Sequence, residues 1–171
     1  MTTAGKLVVT TPSEREIAMT RSFDAPRHLV FEALTTPELL KQWLVGPPGW
    51  SMVRCEFDPR PGVAYRYEWR HVDGQAMGVG GVIREVSPPA RLVATERFDR
   101  AWYPGEAIIT YRLVEEGDTT TITLTIRYES EAARDTALKT PMAQGVAANY
   151  DRLETILADS PVSELRSRSV R

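Results

Sequence analysis

Four tyrosines fall where a strand pattern turns side chains inward: Tyr65, Tyr67, Tyr111 and Tyr128. A phenol withdrawn from water needs a hydrogen-bond partner, and another side chain, a water or a bound molecule supplies it. A few such groups in an apolar wall are the chemistry of a small-molecule pocket. Proton transfer there needs only one or two polar side chains. Arg21, Glu96 and Glu106 lie in strand-like runs able to turn such a group inward. For each of the three, exposure or a structural ion pair is the competing reading.

Chemistries with stricter signatures are missing. His28 and His71 stand far apart in different kinds of element, and no HExxH, CxxC or comparable ligand spacing occurs. The expectation is therefore no metal and no cofactor. Cys55 is the single cysteine, which excludes an intramolecular disulfide framework and fits a reducing, cytoplasmic setting. A Cys-His nucleophilic pair would depend on tertiary proximity. No GxSxG is present, and the glycines of MGVGG at 77–81 match neither GxGxxG nor a GK[ST] loop. They read as a bulge or bend that curves a sheet.

The elements that must position these residues follow from periodicity. A first strand at 16–24 precedes two short helices, with Asp24 and Thr36 as expected caps and Pro26 and Pro37 in the first-turn positions. From 50 to 129 the apolar period is two, giving strands near 51–57, 63–70, 76–86, 91–98, 106–115 and 119–129. Turn-rich separators such as Asp73-Gly74 and Glu116-Gly117-Asp118 make neighbouring strands antiparallel hairpins. Alternation puts Tyr65, Tyr67 and Trp69 on one face, and likewise Ile109, Tyr111 and Leu113, and Ile122, Leu124, Ile126 and Tyr128. Thr121, Thr123, Thr125 and Arg127 fall on the opposite, solvent-suited face. Thr140-Pro141 then opens a long helix to Leu157, which spans about 25 Å at about 1.5 Å per residue. The segment 130–139 reads as a further short helix or capped loop.

Composition sets the outer bounds. With 171 residues and 42% apolar content, the chain fits one domain with an ordinary core. Its 21 basic and 23 acidic residues are interspersed, which argues against nucleic acid and anionic membranes as partners. No apolar run approaches the roughly 20 residues of a bilayer span, and the N-terminus lacks a signal-peptide core. Residues 1–14 read as a flexible leader or short edge segment, 15–158 as the folded domain, and 159–171 as a flexible tail.

The stretch RSFDAPRHLVFEALTTPELLKQW (21–43) resembles the START-like, Bet v 1-like superfamily (SRPBCC), in the branch named after the activator of Hsp90 ATPase homologue 1. FDPRPGVAYRYEW (57–69), GVIREVSPPARLVATERF (81–98), TTITLTIRYES (120–130) and GVAANYDRLETIL (145–157) continue the likeness in family order. The resemblance implies an α+β helix-grip fold: a seven-stranded antiparallel sheet, two small helices after the first strand, and a long C-terminal helix over the concave side. It also implies a cavity for an apolar or aromatic ligand, in a monomer or homodimer. Trp43, Tyr65, Tyr67, Trp69, Trp102, Tyr111, Met142 and Val146 are the expected ligand-binding residues. Trp43, Trp50 and Trp102 are expected as mobile rims of an entrance near the 43–50 and 99–105 loops. Some relatives are cyclases or hydratases, so a cyclase, dehydratase or hydrolase acting on a polyketide-like or aromatic substrate through a tyrosine, Glu96 or Arg21 is an alternative. A chaperone-associated interaction module is another. The chain departs from the family at Leu44, where a second tryptophan is usual, at Val146, where tryptophan is common, and at Tyr150, where leucine is usual. These exchanges reshape the cavity.

Overall fold

Alternating strands joined by glycine-bearing turns generate one continuous antiparallel sheet. The computed structural model describes residues 5–159. Its strands are β1 (Val8–Thr10), β2 (Glu16–Phe23), β3 (Trp50–Glu56), β4 (Ala64–His71), β5 (Ala76–Ser87), β6 (Arg91–Phe98), β7 (Ala107–Glu116) and β8 (Thr119–Arg127). Their spatial order is β1-β2-β8-β7-β6-β5-β4-β3, and each neighbouring pair is antiparallel. Eight strands replace the seven expected. The additional one is β1, paired with Val8 opposite Thr20 and Thr10 opposite Ala18. Three residues are too few for alternation to show in a sequence. The tail from 160 onward lies outside the described residues.

Two short helices, α1 (Arg27–Thr35) and α2 (Pro37–Trp43), fill the link between β2 and β3, while α3 (Glu131–Leu138) and α4 (Met142–Asp159) follow the last strand. Both expected caps act otherwise, and so does Thr140 ahead of α4. Asp24 does not cap α1, whose first N–H, at Arg27, donates instead to Glu115 on β7 at 2.7 Å. Thr36 occupies the cap position of α2 without a side-chain bond. The Thr140 hydroxyl donates back to the Ala137 carbonyl at 2.7 Å. Ser130 does cap α3, accepting from Ala133 N–H at 3.0 Å.

Burial follows the alternation. Ile17, Met19 and Phe23 of β2 and Ile122, Leu124 and Ile126 of β8 turn inward and meet Tyr150 and Leu153 of α4. Tyr150 packs edge-on against Phe23 at 5.5 Å and beside Trp43 at 6.0 Å. Burying each such side chain is worth about 1.5–3 kcal/mol.

Curvature comes from irregular pairing. Register shifts lie between Met52 and Arg54 and between Ile83 and Glu85, not within 77–81 where the glycine run suggested a bulge. The glycines serve close approach instead. A Cβ at Gly81 would collide with the Thr95 carbonyl, and one at Gly78 with the Arg66–Asp99 ion pair.

Candidate functional site

The first half of α4 does not close on the sheet. Met142, Gly145, Val146 and Asn149 recur at three and four, so they share one helical face, and all four line a cavity of about 460 Å³. Opposite them stand Tyr65, Tyr67 and Trp69 of β4, Ile109 and Tyr111 of β7, and Leu124 and Ile126 of β8. β6 contributes Leu92, Ala94, Glu96 and Phe98 through a single parity of its alternation. The volume lies within the roughly 300–1,000 Å³ of small-molecule sites. Gly145 keeps part of it open: a Cβ there would meet no atom within 4 Å. Close packing against the sheet is therefore not why the helix carries a glycine.

All eight residues expected at a ligand stand on this wall: Trp43, Tyr65, Tyr67, Trp69, Trp102, Tyr111, Met142 and Val146. Their mechanical roles differ from the expectation for the tryptophans. Trp43 is no mobile rim; it is 1% exposed, and its Nε1–H donates to the Ala33 carbonyl at 2.9 Å. Trp50 starts β3 and packs edge-on to His71 at 5.2 Å, away from the cavity wall. Trp102 alone of the three sits half-buried on an irregular loop at the wall, its ring 4.1 Å from that of Phe98. Leu44, Gly46 and Pro47 bring the other loop to the wall, and Trp69 Nε1–H fixes that loop through the Leu44 carbonyl at 2.7 Å.

The tyrosines divide by partner. Tyr65 O–H donates to the Thr95 carbonyl at 2.6 Å, and Tyr128 O–H lies 3.7 Å from the Met142 sulfur. The hydroxyls of Tyr67 and Tyr111 make no hydrogen bond among the described residues, so both are free within the cavity wall. Burial is the first cause that raises the pKa of each of these four phenols, which holds them protonated.

Glu96 is the one formally charged residue on the wall. Burial pushes its carboxyl up to about 7, opposed only by the hydrogen bond that Tyr103 O–H donates to Oε1 at 3.1 Å. No ion pair reaches it among the described residues. Chemically, the Glu96–Tyr103 pair can hold or release one proton near neutrality. Tyr103 escaped the sequence reading because it stands in the loop before β7, where no period applies. The position of Glu96 was recoverable from its shared parity with Leu92, Ala94 and Phe98.

The other acid-base candidates leave the site. Arg21 is 3% exposed but off the cavity wall, paired with Asp151 at 2.7 Å and with Glu154. Glu106 stands outside the wall, and its backbone N–H donates to Glu129 at 2.9 Å. Cys55 is held as a thiol, its pKa pushed up to about 11 chiefly by burial. His28 and His71 do not line the cavity, and no cluster suited to a metal ion occurs among the described residues. No helix among them is long and apolar enough to cross a membrane.

An antiparallel sheet curved against a C-terminal helix, with an apolar cavity between, defines a helix-grip protein of the SRPBCC superfamily. The chain belongs to the family described as Activator of Hsp90 ATPase homolog 1-like protein, whose model matches residues 24–158. Among solved structures, a protein from Rhodobacter sphaeroides is 29% identical with a TM-score of 0.86, covering 91% of this chain and 99% of its own. One from Nitrosomonas europaea is 26% identical with a TM-score of 0.76, covering 88% and 100%. An AHSA1 protein from Silicibacter pomeroyi, 19% identical with a TM-score of 0.69 and covering 84% and 97%, shares the fold. No curated protein matches.

Proposed function

We propose that this protein binds a small apolar or aromatic molecule in the cavity between the sheet and the first half of α4. The carrying observation is the unfilled space of about 460 Å³ behind an aromatic wall, beside a continuous buried apolar core. Side chains of ordinary size could fill that space, yet the helix presents Gly145 to it. Tyr65, Tyr67, Trp69 and Tyr111 supply flat contact area, Met142 and Val146 supply adaptable and branched surface, and the Trp43 and Trp102 rings extend the wall.

Gly145→Leu tests the reading directly. Leucine is a good helix former, and its side chain enters open space, so the folded state should be retained or gain up to about 1 kcal/mol. The neutral fluorophore Nile red should bind the natural protein saturably at one site and lose that binding in the variant. Unchanged saturable binding in a folded Gly145→Leu protein would place the dye elsewhere and remove the proposal.

A further inference from the structure

Resting on that reading, we infer that the cavity's ligand is a cation: an aromatic or alicyclic amine whose ammonium group meets the Glu96 carboxylate.

The argument begins with an imbalance. Glu96 is the one charged residue on the cavity wall, and its only hydrogen bond, from Tyr103 to Oε1, leaves the second oxygen free. A carboxylate taken from water is costly unless a cation and hydrogen bonds compensate it. Arg21 and Arg66, by contrast, are met within the protein, Arg21 by two carboxylates and Arg66 by Asp99 and Glu68. When Glu96 is ionised, a cation filling the space would supply the partner that the wall does not.

The surroundings favour a cation over a neutral donor. Phe98, Trp102, Tyr67 and Tyr111 share the wall with Glu96, and aromatic faces attract an ammonium through their quadrupoles. The two free phenols can each accept an N–H. The titratable groups facing Glu96 are Tyr103 from the loop, Tyr65 and Tyr67 from β4, Tyr111 from β7 and Tyr128 beyond β8, all of them kept protonated by burial. From α4 the cavity receives Met142, Gly145, Val146 and Asn149, and none of these carries charge. An anionic ligand would meet Glu96 with no cation to offset it.

Three molecules with one ring system separate the possibilities: 1-naphthylmethylamine, 1-naphthylmethanol and 1-naphthoate, each displacing Nile red at about pH 8, where both carboxylate and amine are charged. The amine should bind at least about tenfold more tightly than the alcohol, with naphthoate weakest. Glu96→Gln should reduce amine affinity by about tenfold and leave the alcohol within about twofold. Lowering the pH to about 6 should erode the amine's advantage in the natural protein, because Glu96 takes up its proton near 7, and should not do so in Glu96→Gln. Equal affinity for amine and alcohol in the natural protein, or an amine preference that survives Glu96→Gln, would overturn the inference while leaving the cavity a neutral-ligand site. Tightest binding by naphthoate would overturn it as well. If none of the three displaces Nile red, or Nile red itself does not bind, the cavity reading and this inference fall together.

Discussion

Arg21 and Glu96 are both charged side chains turned toward the concave side of one sheet, and they are treated in opposite ways. Arg21, on β2, meets Asp151 and Glu154 from the last turns of α4, with its guanidinium carbon 5.3 Å from the Phe23 ring centre. Glu96, on β6, has a single phenol and an open cavity beneath the first turns of the same helix. The difference teaches that a buried charge alone says little about function. One whose charge is met by two carboxylates within the chain holds architecture together. One left half compensated beside empty space marks where something else is meant to sit.

The largest expected effect tests whether the cavity end is itself structural. Trp69 is 7% exposed and holds the Leu44 carbonyl, so Trp69→Ala should cost about 3–5 kcal/mol in urea denaturation and abolish Nile red binding. Trp102→Ala, on its loop, should cost less than about 2 kcal/mol while still weakening the dye. Should Trp102→Ala lose as much stability as Trp69→Ala with the dye unaffected, Trp102 belongs to the core and the contrast between fixed wall and loop wall fails.

Next in size is the clamp. Asp151 and Glu154 have side chains 72% and 45% exposed, against 3% for Arg21, so the burden of desolvation lies on the arginine. Removing both acids with Asp151→Asn and Glu154→Gln strands a buried cation and should cost about 3 kcal/mol. Removing the cation with Arg21→Met returns two carboxylates to water and keeps most of the apolar stem, at about 1 kcal/mol. Neither change should alter dye affinity by more than about twofold. Equal losses from the two sides would mean that the pair acts as an ordinary surface bridge.

The smallest effect sharpens the Glu96 half. A carboxyl whose folded pKa lies at about 7, above its ordinary 4.5, binds its proton more tightly when folded. Its contribution is complete below pH 4.5 and is lost as pH rises toward 7, on the order of 2 kcal/mol after allowance for water in the cavity. The difference in stability between natural protein and Glu96→Gln should therefore change across that window and level off above it. A difference independent of pH between 4.5 and 7 would show that Glu96 is solvated and the contrast with Arg21 empty.

How much of this was legible depended on whether a residue obeys a local period. Strand ends at 76, 91 and 98 fall where alternation and turn residues put them, because side chains on a pleated strand change face at every step. The inward turn of Tyr65, Tyr67 and Trp69 was readable for the same reason. What Trp43 does was not. Its burial depends on Tyr150, more than a hundred residues later, and on the Ala33 carbonyl of the preceding helix. Tyr103 was invisible because a loop has no repeat to betray its direction. Arg21 could be assigned to a strand but not to a role, since Asp151 and Glu154 reach it only once α4 is laid over β2. Asp24 looks like a cap by spacing, yet Glu115 from a distant strand takes the α1 N–H in its place.

The clamp has a mechanical consequence for α4. Asp151 and Glu154 moor its second half to β2, and Asn149 accepts the Gly46 N–H at 2.8 Å near its middle. Ahead of these, over Met142–Val146, the only side-chain tie among the described hydrogen bonds is the 3.7 Å contact between the Tyr128 hydroxyl and the Met142 sulfur. The polar ties of the helix are thus concentrated in its second half, while its first half, over the void, is held chiefly by apolar packing of Met142, Ala143 and Val146. The bonds that fix α4 and the space it covers are therefore in different halves of the helix, so a change in the clamp at Arg21 and a change in the cavity wall can be made separately.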